Sequence, residues 1–229
     1  MEKENKPRGG EYTLWDTPTP VPVGFMRQFR YMALLYERIK NIPGAVVECG
    51  LGRGGTLSML AYLIGSENPQ APRILYGFDS FEGFPEPHLF DQSPRNLKKG
   101  EWNVNSQTTI REHLELSGVI KAFPKLDVHL IPGFVEETIQ FFPDQPIAFI
   151  HLDLDLYEGY RTVLEHLFPK MSAGAVILFD DYKEFTRTYP DTEKFPGATK
   201  AVDDYFSGLP YRLEHDVEAK KYFLFKEES

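Results

Sequence analysis

Residues 45–56 read AVVECGLGRGGT: a run of β-formers, a turn holding four glycines, then the start of a helix-like apolar pattern. A turn so rich in glycine lets the backbone take positive φ and approach a ligand closely. Set between a strand and a helix, it aims the helix N-terminus and its unpaired amides at whatever fills the crevice above the sheet edge. The chain is therefore committed to a βα unit near its start. One such unit cannot bury its own apolar surface, so further strands and helices must cover it.

Those elements alternate along the chain. Strands are predicted at 45–49, 73–78, 128–131, 147–152 and 175–179, with helices at 55–64, 106–116, 135–142 and 157–171 between them. FPGATKAVDDYF reads as a helix with Pro196 in its first turn, and YRLEHD with KYFLFKE as a closing antiparallel pair. Ahead of the sheet, Phe25 to Ile39 forms an amphipathic helix with Phe29, Met32, Leu35 and Ile39 on one side. Residues 12–23, with three prolines, are expected to form an arm or lid, so 1–40 is read as an arm and helix and 41–229 as one α/β domain. The stretch 80–105 is too polar and too rich in Pro and Gly for a regular element. Loops of that length are commonly lids or binding loops.

Composition narrows the function. With 229 residues, 41% of them apolar, the chain can build one large core. A formal charge of −9 and no basic stripe argue against gripping nucleic acid through its phosphates. No apolar run is long enough to span a bilayer, and MEKENKPRGGEY lacks the hydrophobic segment of a secretion signal, so the expected setting is cytoplasmic, without a membrane partner. Cys49 stands alone and reads as an inert buried thiol. A small-molecule substrate fits this chain best.

Three groups of residues carry chemistry. Gly50, Gly52 and Gly55 satisfy the dinucleotide pattern G-x-G-x-x-G, and Glu48 stands two residues before the first of them. An acid there suits a positively charged cofactor better than NAD, whose turns usually carry an apolar residue at that point. Asp79, in GFDSF at the end of the second strand, can accept bonds from ribose hydroxyls in either kind of site. IHLDLD then places Asp153 and Asp155 after the fourth strand, and LFDDY places Asp180 and Asp181 after the fifth. If those strands are neighbours, their acids converge at one sheet edge and repel unless a hard cation such as Mg²⁺ lies among them. Asp155 is also in range to cap the helix starting near Tyr157. An NAD-dependent oxidoreductase and a binding domain without catalysis are the competing readings.

The segments VVECGLGRGGT, GFDSFEGFP, PGFVEET, HLDLDLYEGY, GAVILFDDY and FPGATKAVDDYF resemble those of the metal-dependent O-methyltransferases of the macrocin and mycinamicin sugar type. The resemblance implies a class I methyltransferase fold, Rossmann-like and three-layered α/β/α, with a seven-stranded, mostly parallel sheet that has an antiparallel strand at the end. It implies S-adenosylmethionine and Mg²⁺ as cofactors and a small hydroxylated acceptor, a natural-product sugar or a phenol. Cofactor contacts are expected from Glu48, Gly50, Gly52, Gly55, Thr56, Asp79, Ser80, Gly133, Phe134 and Asp153, and cation contacts from Asp153, Asp180 and Asp181. Catechol-type relatives carry a catalytic lysine three residues after the first acid. Leu156 stands there in this chain, so the proton is expected to go to Asp155 or Asp153. His151 is expected on the same side as Asp153, His88 in solvent or near substrate, and Phe81, Phe84, Phe90 and Trp102 in an acceptor pocket or as loop anchors. A homo-oligomer formed by swapping the proline-rich arm is compatible with the sequence.

Overall fold

The computed structural model describes residues 21–185, 188 and 190–227. Most of the expected proline-rich arm, through residue 20, lies outside them. Seven strands form one sheet in the order β3-β2-β1-β4-β5-β7-β6. They are β1 (Ala45–Cys49), β2 (Leu75–Asp79), β3 (Val128–Pro132), β4 (Ile147–Leu152), β5 (Met171–Phe179), β6 (Glu214–Asp216) and β7 (Lys221–Phe225). β1 to β5 pair in parallel, while β7 runs antiparallel to both β5 and β6. This is the class I arrangement that the sequence resemblance implies.

Both faces of the sheet are covered, which is why β1 and β4 are buried at every position. One face carries α1 (Val23–Ile39), α2 (Gly55–Glu67), α3 (Gln107–Leu116) and the single turn α4 (Val119–Ala122). On α1, Tyr31, Met32, Leu35, Tyr36 and Ile39 are buried with Leu57 and Leu60 of α2, so α1 shares the core of the sheet. The other face carries α5 (Val135–Thr138), α6 (Tyr157–Leu167) and α7 (Pro196–Phe206). Among the described residues, no helix is long and apolar enough to cross a membrane.

Several boundaries differ from expectation: the helix expected over 135–142 is α only to Thr138 and 3-10 beyond, α2 runs on to Glu67, and β5 begins at Met171 rather than Ala175. Two further shifts have clear local reasons. The helix predicted to reach residue 171 stops at Leu167, because Pro169 offers no amide to continue it, and a 3-10 turn over Phe168–Lys170 feeds straight into β5. β2 begins at Leu75 rather than Arg73, because the Arg73 guanidinium is drawn aside to the carbonyls of Ile39, Lys40, Ile42 and Gly44.

The 80–105 segment is an ordered loop. Phe84 and Leu97 anchor it to the core, and Phe84 exchanges backbone bonds with Glu101 and Gly100 at 2.8 and 2.9 Å. Asp91 caps a 3-10 turn at Leu89–Asp91 through the His88 amide and also accepts the Tyr157 amide at 2.9 Å. Asp91, and not Asp155, therefore caps α6. Gly197 makes room for this contact, since a Cβ there would lie 1.7 Å from Asp91 Oδ1.

Candidate active site

The ends of β1, β2, β4 and β5 open on one cavity of about 270 Å³. Its wall includes Gly50, Gly52, Asp79, Ser80, Gly133, Phe134, Asp153, Asp155, Asp180 and Asp181, so most of the predicted site residues meet in one place. Gly50 has φ +87°, and a Cβ on it would lie 1.7 Å from the Asp153 carbonyl oxygen. Any side chain there would push the glycine turn away from β4 and close the crevice.

Glu48, Gly55 and Thr56 are placed beneath the wall rather than on it. Glu48 is fully buried. Its Oε1 accepts from Thr56 Oγ1 and from His151 Nδ1 at 3.0 Å, while its Oε2 is buried with no partner among the described residues. A buried carboxylate oxygen without a donor is costly, so this atom calls for a cationic or N–H partner beyond those residues. Asp79 accepts from the amides of Leu51 at 2.9 Å and Phe81 at 2.7 Å, which ties the glycine turn to the start of the long loop.

The acids after β4 and β5 form the second half of the site, because those strands are direct neighbours. Ligand atoms of His151, Asp153 and Asp180 lie within 4.8 Å of one another, as do those of Asp153, Asp155 and Asp181, and those of Asp180, Asp181 and Glu184. Burial and the charges of Asp180 and Asp181 push Asp153 well above the usual carboxylate range. Burial and the charges of Asp181 and Asp153 do the same to Asp155, and Asp181 is pushed up to about 6 by burial and Asp180. Burial also acts to raise Asp180, but His151 and Lys221 outweigh it and hold that acid well below its ordinary value. Lys221 Nζ lies 2.7 Å from Asp180 Oδ2. His151 Nε2 stands 3.6 Å from Asp180 Oδ1, an ion-pair distance too long for a hydrogen bond. His151 is buried, and although burial opposes its charge, Asp180 and Glu48 push its pKa well above the usual value.

Asp155 has the left-handed φ of 63° and donates its amide to Asp181 Oδ2 at 2.9 Å. Tyr160 Oη lies 2.9 Å from the same oxygen and accepts the Asp181 amide. Asp181 thus fixes the turn that presents Asp155. Three acids with raised pKa values, crowded at the mouth of a cleft, fit a hard cation with oxygen ligands. The orphaned Glu48 oxygen and the Gly50 cradle fit a cofactor with a cationic amino-acid end.

Some expectations fail. His88 is neither free in solvent nor at the cavity: its Nδ1 accepts from the Phe90 amide and its ring stacks on Tyr157. The four loop aromatics divide between the two expected roles: Phe90 packs there too and Phe81 joins the α1/α2 side of the core as anchors, while Phe84 and Trp102 reach the cavity wall. Sequence reasoning missed Glu136, Lys194 and Asn105 on the wall, and Lys221 beside Asp180. Lys221 had a signal: an antiparallel last strand beside β5 pairs Tyr222 with Phe179 and so brings Lys221 next to Asp180.

A family model described as macrocin O-methyltransferase (TylF) matches residues 25–207. The chain is 31% identical over 146 residues to 8-demethyl-8-(2,3-dimethoxy-alpha-L-rhamnosyl)-tetracenomycin-C 4'-O-methyltransferase of Streptomyces olivaceus, covering 62% of this chain and 54% of that one. It is 29% identical over 167 residues to demethyldecarbamoylnovobiocin O-methyltransferase of Streptomyces niveus, covering 72% and 59%. The match thus spans little more than half the length of these relatives. Among solved structures, the calicheamicin methyltransferase CalS11 superposes with a TM-score of 0.74 at 26% identity, over 92% of this chain and 87% of that one.

Proposed function

The chain belongs to the macrocin O-methyltransferase family, and from that footing we propose that it transfers a methyl group from S-adenosylmethionine to a hydroxyl of a small molecule, with Mg²⁺ held at the acid cluster. The acceptor class is a natural-product sugar or a phenol, as the names of the matched relatives suggest. The observation that carries the reading is a cluster of crowded carboxylates on the cavity wall. Beneath that wall, and joined to the cluster through His151, lies a buried Glu48 oxygen with no partner among the described residues.

Glu48 receives the α-ammonium group of the donor, Asp79 the ribose hydroxyls, and Ser80, Gly133 and Phe134 line the space left for the adenine. Gly50 and Gly52 let the main chain approach the donor without a side chain between. Asp153, Asp180 and Asp181 hold the cation, with His151 and Lys221 balancing the charge on Asp180. S-adenosylmethionine supplies an electrophilic methyl carbon on a sulfonium sulfur, and the cation supplies charge neutralisation that lowers the pKa of a hydroxyl beside it. Asp155 takes the acceptor proton. Burial and the charges of Asp181 and Asp153 raise its pKa, which favours proton uptake, and Leu156 stands where catechol-type relatives carry a lysine. No covalent enzyme intermediate is needed, because orientation of the hydroxyl toward the methyl carbon is the main task.

The test is mass spectrometry of acceptors incubated with the enzyme, S-adenosylmethionine and Mg²⁺, using vicinal-diol glycosides and catechols as the panel. A mass gain of one methylene, abolished by EDTA and by the Asp180→Ala/Asp181→Ala double variant, is expected. Full turnover by that variant in EDTA would remove the cation from the proposal.

A further inference from the structure

The long loop begins at Asp79 and ends at Asn105, and these two residues touch. Asn105 Nδ2 lies 3.3 Å from Asp79 Oδ2 and also donates to the carbonyl of Gly52 in the glycine turn. The same Asp79 oxygen accepts the Leu51 amide. One side-chain amide therefore joins the glycine turn after β1, the acid after β2, and the end of the loop. Asn105 is itself rigidly based: the next residue, Ser106, caps α3 in a reciprocal capping box with Thr109. Between its joined ends the loop contributes Gly83, Phe84, Pro85 and Trp102 to the cavity wall. An asparagine suits this position for a chemical reason. Its amide donates to two acceptors at once, whereas an aspartate would set a second negative charge beside Asp79.

We propose that Asn105 is a positioning residue, a clasp that closes the acceptor-facing loop onto the cofactor cradle and fixes the Asp79 carboxylate for the donor's ribose. The proposal rests on the S-adenosylmethionine reading above. Its consequence is that donor and acceptor subsites share one wall: the loop that meets the acceptor is held by the acid that meets the donor. Asn105 is partly exposed, so its replacement leaves the core intact.

The experiment is titration calorimetry of the full chain with S-adenosylhomocysteine, which binds without turnover. Asn105→Ala is expected to weaken binding about tenfold, the scale of a hydrogen bond to a charged group. Asn105→Asp weakens it further. Because Asn105 acts in part through Asp79, the Asp79→Ala/Asn105→Ala double variant loses less affinity than the sum of the two single losses. In a Trp15→Phe background, Trp102 emission changes on adding S-adenosylhomocysteine, and Asn105→Ala removes that change. Unaltered affinity in Asn105→Ala, or fully additive losses in the double variant, overturns the clasp while leaving the methyltransferase reading standing. A wild-type chain that binds no S-adenosylhomocysteine overturns both.

Discussion

The two ends of the sheet treat buried charge in opposite ways. At the N-terminal edge, Arg73 bonds both oxygens of Glu67 and four main-chain carbonyls, and Tyr36 donates to Glu67 at 2.6 Å. Although burial acts against it, Arg73 and Tyr36 hold Glu67 below the usual carboxylate range. At the C-terminal edge, Asp153, Asp155 and Asp181 are all pushed above that range, and one oxygen of Glu48 has no partner among the described residues. The first edge is complete in the free chain. The second is left short of positive charge, which is how a fold holds a place for cationic ligands at the cost of its own stability.

Breaking each edge should give opposite results. The largest effect is expected at the acid cluster: Asp180→Ala lowers methyl transfer at least a hundredfold, the scale of lost charge stabilisation at a reacting oxygen, as read from initial rates at saturating donor. Arg73→Ala removes the cationic partner of the half-buried Glu67, which keeps only Tyr36, and is expected to cost about 2 kcal/mol, lowering Tm by roughly 5 °C in calorimetry. Substrate affinity at low temperature should not change, since Arg73 lies at the far end of the sheet.

Asp181→Asn should do the reverse and raise stability at neutral pH. Asp181 keeps its proton up to about pH 6, against 3.8 for the ordinary side chain. Between those values the folded chain binds more protons than the unfolded one, so ionisation of Asp181 withdraws stability as pH rises from about 4 to 6. The advantage of the Asn variant over the wild type is expected to be roughly 2 kcal/mol at pH 7.5 and to shrink toward pH 4. A pH series of urea melts measures it. The smallest change is at Asp91→Ala, where α6 loses its remote cap for about 1 kcal/mol.

The two edges also differ in how far the sequence reveals them. The glycine turn, Glu48, Asp79 and the two acid pairs each follow a strand whose residues alternate with helices, so βα order alone brings them to one edge. β1 and β4 have the expected limits because both are short, apolar and closed by a turn or a charge. What escaped is what depends on distant partners. Arg73 reads locally as a strand residue, yet its guanidinium is claimed by Glu67 of α2, the end of α1 and the turn after it. Asp91 caps a helix 66 residues away, a partner that proximity in sequence, which offers Asp155, does not reveal. Asn105 and Lys194 lie in or near irregular segments, where spacing has no period to read.

The most direct test of the central claim is calorimetric titration of the purified chain with S-adenosylmethionine, with and without Mg²⁺, beside Glu48→Ala and a parallel titration with NADH. The expected result is one site for S-adenosylmethionine in both buffers, weakened about a hundredfold or more in Glu48→Ala, and no heat with NADH. Binding of NADH in place of S-adenosylmethionine, or equal affinity in Glu48→Ala, would contradict the assignment of this cavity.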